Sequence, residues 1–146
     1  MNESVEDAPK DCKPGSTVMV GGFGLSGIPE NIIEYARTAE YIKDLTVIST
    51  EVGDDSWGLG RLIEKNKITK QYACCIGRCK VMEKAYLEGT MELELIPQGT
   101  FAEKISNSAK GIPAFYCKVG MNTLYAEGKL PTRFNDGKAV LLNKKR

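Results

Sequence analysis

The sequence predicts an α/β protein, an open parallel sheet flanked by helices. Short apolar runs rich in β-branched residues alternate with segments whose apolar residues recur at helical spacing, the order that lays helices over a parallel sheet. The first run, Val18-Met19-Val20, opens into a glycine-rich turn and then a helical pattern. The 146 residues, 42% hydrophobic and 27% charged, suffice for one compact domain with a sizeable core.

Thr17 to Val20 reads as the end of a buried strand, because its apolar residues run without alternation. Glu30 to Glu40 follows as a helix with Ile32, Ile33 and Ala36 on one face. Leu45 to Ser49 (LTVIS) is a second buried strand, Leu59 to Lys65 a short helix, and Ile68 to Ile76 a third strand around QYACCI. Lys80 to Glu88 sets Val81, Met82, Ala85 and Tyr86 on a core-facing stripe. Met91 to Ile96 alternates as a fourth strand ahead of a turn at Pro97-Gln98-Gly99. Thr100 then reads as the N-cap of the helix FAEKISNSA, with Glu103 completing a capping box. Ala114 to Tyr116 is a fifth strand, and beyond Lys118 the pattern dissolves. Asn135-Asp136-Gly137 suits a tight hairpin turn, and a last apolar run, Ala139 to Leu142, gives way to Asn143-Lys144-Lys145-Arg146.

A net charge near +1 gives no argument for nucleic acid or for an anionic membrane surface. No apolar run approaches the ~20 residues that cross a bilayer. The N-terminus, MNESVEDAPKD, is acidic and polar, unlike a secretory signal or an Arg-rich transit peptide. Five cysteines without a framework spacing point to a reduced, intracellular protein. Cys75 and Cys79 make a poor zinc site in a chain without histidine, and Cys74 and Cys75 read as small buried hydrophobes. The missing histidine also excludes Ser-His-Asp and Cys-His mechanisms within the chain, leaving carboxylates, lysines, tyrosines or thiols for proton work.

The glycine-rich turn comprises Gly21, Gly22, Phe23, Gly24, Leu25, Ser26 and Gly27. Two readings stand side by side: tight packing between strand and helix, or backbone amides brought close to a ligand ahead of a helix N-terminus. No G-K-[ST] follows, so it is not a Walker loop. G-x-G-x-x-G threads through Gly22, Gly24 and Gly27, but no acid ends the next strand as a dinucleotide fold requires.

The segment VGGFGLSGIPENII resembles the N-terminal signature of family I coenzyme A transferases of the succinyl-CoA:3-ketoacid type. The likeness continues in order through GLGRLIEKNKI, YLEGTMELELIPQGTFAEKI and GIPAFY. It implies a polar tail over 1–12, a transferase domain of the N-terminal-half type over 13–130, and a C-terminally truncated segment over 131–146. The implied activity is CoA transfer between succinyl-CoA and a 3-oxo acid such as acetoacetate, in ketone-body metabolism. The family's nucleophile is a glutamate in an S-E-N-G motif of the C-terminal half or B subunit, and no S-E-N-G occurs here. Glu30-Asn31 aligns with the glycine loop instead, where it starts a helix near its positive end. The chain alone is therefore expected to carry no catalytic residue and to be inactive.

The resemblance further implies acyl-CoA and carboxylate substrates, a partner in the form of a catalytic C-terminal half or B subunit, and a homo- or hetero-oligomer. It implies no permanently bound cofactor, the CoA thioester being substrate. It places the protein in the mitochondrial matrix, with the cytoplasm as alternative. Gln98, in PQGT, matches the family glutamine that contacts substrate at the end of the fourth strand. Gly21 to Gly27 sits at an equivalent strand end, facing the acyl or CoA moiety. Glu51 departs from the pattern. The family runs S-N-N-A-G where this chain has Ser49-Thr50-Glu51-Val52-Gly53, so an amide donor becomes an acid. An anionic acyl group 4 Å away would be repelled by about 4 kcal/mol at an effective dielectric of ~20. Arg78 and Cys79 replace an acid–amide pair in GRCKVME, and Pro14 stands where Asp or Asn is usual. These departures also suit an alternative, a non-catalytic truncated isoform or paralogue that associates with full-length transferase.

Overall fold

The computed structural model describes residues 4–128, 131–133 and 139–144. They fall into two compact units, Met1–Glu94 and Leu95–Arg146. The elements run β1 (Thr17–Val20), α1 (Glu30–Thr38), β2 (Leu45–Ser49), α2 (Gly60–Glu64), β3 (Ile68–Ala73), α3 (Lys80–Leu87), β4 (Glu92–Leu95), α4 (Gln98–Ala109) and β5 (Ala114–Cys117). A 3-10 turn over Leu124–Ala126, β6 (Pro131–Arg133) and β7 (Ala139–Lys144) complete the described chain.

In the first unit the sheet order is β1-β2-β3-β4. β1 and β2 pair in parallel from Thr17↔Thr46 to Val20↔Ser49, and β2 pairs in parallel with β3 after an irregularity between Leu45 and Thr46. β2 buries Leu45, Val47 and Ser49 in alternation. Against that face pack Ile33 and Ala36 of α1, Leu62 and Ile63 of α2, and Met82 of α3, together with Ile42 and Val52. β1 is not buried on both faces as its composition suggested. It lies at the sheet edge with Met19 57% exposed, because its outer side has no strand among the described residues. β3 ends at Ala73, short of the expected Ile76.

Lys67 joins the turn after α1 to the start of β3. Its half-buried ammonium donates to the carbonyls of Ala39 and Ile42, the latter at 3.0 Å, and burial pushes its pKa down. Lys67→Met keeps the apolar stem but removes the donor from both carbonyls. We expect a loss of about 1–3 kcal/mol, read as a lower denaturant midpoint with an unchanged m-value. An unmoved midpoint would show that water replaces the ammonium without loss.

The second unit carries α4 and a three-stranded antiparallel sheet of order β5-β7-β6. The fifth strand thus leaves the parallel sheet that strand–helix alternation assigned to it. The returning run Ala139–Lys144 pairs with it from Ala114↔Lys144 to Cys117↔Leu141, and local periodicity does not encode which sheet a four-residue strand joins. The proposed turn at Asn135-Asp136-Gly137 lies outside the described residues. Helix α4 begins at Gln98, two residues before the expected cap, since Phe101 N–H donates to Pro97 O at 2.8 Å and closes the first turn there. Thr100 is therefore inside the helix and fully buried, its hydroxyl 3.7 Å from Cys117 Sγ.

Candidate substrate site at the ends of the parallel strands

Beyond Val20 the chain closes into a tight turn. Phe23 N–H donates to Ser26 O and Ser26 N–H to Phe23 O, both at 2.9 Å. Gly24 takes the first corner at φ +58, the mirror-image geometry that glycine favours in two-residue turns. The loop is thus not an open cradle of seven amides: those of Phe23 and Ser26 are spent on each other.

The last residues of β2 and those just beyond fasten this turn to the sheet. Thr50 donates its hydroxyl to Gly22 O at 2.7 Å. Thr50 O in turn accepts from the amides of Cys74 and Cys75, at 2.9 and 3.2 Å. A buried relay sets the backbone of Glu51. Gln71, fully buried on β3, donates through Nε2 to Ser49 Oγ at 2.9 Å, and Ser49 Oγ donates to Glu51 O at 2.7 Å. Gln71 Oε1 has no hydrogen-bond partner among the described residues, so this polar pair sits in the core at a cost. Glu51 makes an isolated parallel bridge to Cys75.

Arg78 enters from the other side. Cys79 is buried at the N-cap of α3, and Asp55 Oδ1 accepts the Val81 amide at 3.0 Å, capping that helix from the loop after β2. This pins the exposed Arg78 one residue ahead of the cap. A Cβ built on Gly24 would stand 3.8 Å from Arg78 Nη1 and 3.9 Å from Glu51 Oε2. The structure therefore brings together Gly24, Glu51 and Arg78, two residues singled out as site candidates and one noted only as a departure. The signal was available: a new acid at 51 and a new base at 78 are opposite in sign.

Gln98 is the exposed first residue of α4, in the unit that begins at Leu95. Cys75 is exposed and Cys74 half-buried, so the pair is not the buried hydrophobic couple its apolar run suggested. Burial, with Cys75 and Glu51 nearby, pushes the Cys74 thiol up. Burial does the same at Cys79, so neither thiol is primed as a thiolate. A groove of about 290 Å³ is lined by Cys12, Val18, Val20, Ile33 and Leu59 among others, with no carboxylate or amine on its walls. It offers nothing to bind a charged acyl group. Among the described residues no three His, Cys, Asp or Glu side chains could hold a metal ion, and no helix is long and apolar enough to cross a membrane.

Comparison with known proteins identifies the family of the chain. The A-type chain of a probable succinyl-CoA:3-ketoacid coenzyme A transferase from Bacillus subtilis is 44% identical over 138 residues, which are 94% of this chain and 58% of that protein. The mouse mitochondrial succinyl-CoA:3-ketoacid coenzyme A transferase 2A is 44% identical over 140 residues, 95% of this chain and 27% of that protein. The chain thus spans little more than half of the bacterial relative. Among solved structures, an acyl-CoA transferase from E. coli O157:H7 in a thioester complex with CoA superposes with a TM-score of 0.80 at 16% identity, covering 98% of this chain and 34% of that one. Residues 2–145 match the coenzyme A transferase family, a longer stretch than the motifs alone carried. This chain belongs to the coenzyme A transferase family.

Proposed function

We propose that this chain is the substrate-facing part of a transferase that moves CoA between succinyl-CoA and a 3-oxo acid such as acetoacetate. The observation that carries the reading is the rigid glycine turn with two opposed charges at its rim, at the C-terminal ends of parallel strands, where ligands of open α/β sheets bind. The 44% identity to transferases of that name supports the substrate pair. Gly21 to Gly27 and Glu51, in the first unit, are proposed substrate contacts, and Gln98, in the second, is proposed as one in its own right.

The nucleophile comes from a second half or a B-type subunit, since no S-E-N-G occurs in this chain. Its glutamate carboxylate attacks the thioester carbonyl, the C–S bond breaks, and CoA leaves as thiolate from an acyl-glutamyl anhydride. The thiolate then attacks the glutamyl carbonyl, releasing succinate and forming a glutamyl thioester, and the 3-oxo acid reverses the sequence. Developing negative charge on the attacked oxygen needs a neutral donor, the role proposed for the Gln98 amide. Ketone-body metabolism and the mitochondrial matrix belong to the same reading; the mouse relative's name says mitochondrial.

The test is reconstitution. The pure chain should form no acetoacetyl-CoA from succinyl-CoA and acetoacetate, and co-expression with a B-type subunit should give enzyme-dependent product. Glu51 in place of an amide favours a second reading, a non-catalytic paralogue or isoform that binds full-length transferase. A stable complex without turnover would select that reading, and turnover by the lone chain would overturn the first.

A further inference from the structure

Glu51 and Arg78 reach the same point in space from different elements. Both approach the empty Cβ position of Gly24, at 3.9 and 3.8 Å, so the two charges lie within roughly 8 Å of each other, near enough to interact at a protein surface. They form no direct ion pair; the ion pairs among the described residues join other groups. The guanidinium is exposed and carries donors with no acceptor in hydrogen-bond contact among the described residues.

We propose that Arg78 determines specificity at this mouth, its guanidinium binding the distal carboxylate of a dicarboxylic acyl group, while Glu51 positions Arg78 across Gly24. The proposal rests on the reading that the glycine turn faces an acyl-CoA. Four observations on the molecule carry it. Glu51, as a carboxylate, cannot itself donate to a substrate oxygen, whereas Arg78 offers a planar fork that matches a carboxylate with two parallel bonds. The opposite charge of Arg78 offsets the repulsion that Glu51 alone would exert on an anionic acyl chain. Glycine at 24 leaves open the space that both groups approach; a Cβ there would touch each of them. The relay from Gln71 through Ser49 holds the backbone carbonyl of Glu51, which sets the point on the rim from which its carboxylate reaches toward Arg78.

The test uses the reconstituted complex with two thioesters of equal chain length, succinyl-CoA and butyryl-CoA, the second lacking the distal carboxylate. Arg78→Gln should raise KM for succinyl-CoA about 10-fold or more and leave that for butyryl-CoA within about twofold, the loss of one charge-assisted contact. Arg78→Lys should recover part of the difference, because it keeps the charge without the fork. Glu51→Gln should raise KM for succinyl-CoA only when Arg78 is present. Equal changes for both thioesters, or an effect of Glu51→Gln that persists in Arg78→Gln, would overturn the proposal. A second arm needs no turnover. In the full chain, the side-chain Nε resonance of Arg78, assigned by its loss in Arg78→Gln, should shift on Glu51→Gln and on adding succinate but not butyrate. If no thioester turns over in the complex while this signal responds as stated, the proposed function fails and the Arg78 assignment stands. A signal indifferent to succinate overturns the assignment itself.

Discussion

Gly60→Ala will lower the melting temperature of the chain by about 10 °C or more. Gly60 opens α2 beneath the loop that follows β2, and its amide donates to Val52 O at 3.1 Å. A Cβ at this position would sit 2.1 Å from Asp54 O and 3.1 Å from Cys79 Sγ. The first partner is backbone, so relief requires moving the loop that caps α3 through Asp55 or moving α2 out of the core. Either disturbs the packing of Leu62 and Ile63, and overpacking against a fixed backbone costs about 3 kcal/mol or more. Gly99→Ala is the control. Gly99 is inside the first turn of α4 with nothing within 4 Å of its added Cβ, and alanine there should stabilise by roughly 0.5–1 kcal/mol. Thermal melts followed by far-UV circular dichroism separate the two; a Gly60→Ala melt within about 2 °C of the parent would show that the loop yields freely.

In the reconstituted enzyme, Gln98→Ala should lower kcat for CoA transfer about 100-fold, with KM changed less than about threefold. The size follows from removing one neutral donor aimed at developing negative charge, an interaction made chiefly in the transition state. Gln98→Glu should be worse, since a carboxylate offers no donor and repels the oxyanion. Gln98 is exposed on the first turn of α4, so neither change should move the melting temperature. A raised KM at constant kcat would make Gln98 a ground-state contact, and no kinetic change would remove it from the site.

The parallel part of the fold was legible because its strands carry uninterrupted apolar runs and its helices carry an apolar face. Thr17–Val20 and Leu45–Ser49 were read to the residue. Two failures, the burial of β1 and the sheet of the fifth strand, share one cause: the determinant lay far away in the chain. Met19 is exposed because of what neighbours β1, not because of its own segment. The fifth strand found its partner some 25 residues downstream, at Ala139–Lys144. Thr100 matched a capping box, yet the Pro97 carbonyl was taken first by Phe101 N–H. At the site, the glycine turn and Glu51 were visible as motif and departure. Arg78 was visible only as a departure, because the approach of residues 51 and 78 to the same glycine is a property of strand order. Gln71 gave no signal: a glutamine in a strand does not announce that it will be buried beneath a serine.

The turn from Phe23 to Ser26 has little freedom left to surrender. Its two reciprocal hydrogen bonds and the Thr50 anchor on Gly22 order it before any ligand arrives, so docking carries little of the entropic loss that accompanies loop closure. The same stiffness removes plasticity. A backbone that cannot remould itself presents one contour to every acyl chain, and discrimination among them passes to the side chains standing around it. Divergence toward a new substrate then proceeds at the rim, through positions such as 51 and 78, while the glycines beneath stay as they are.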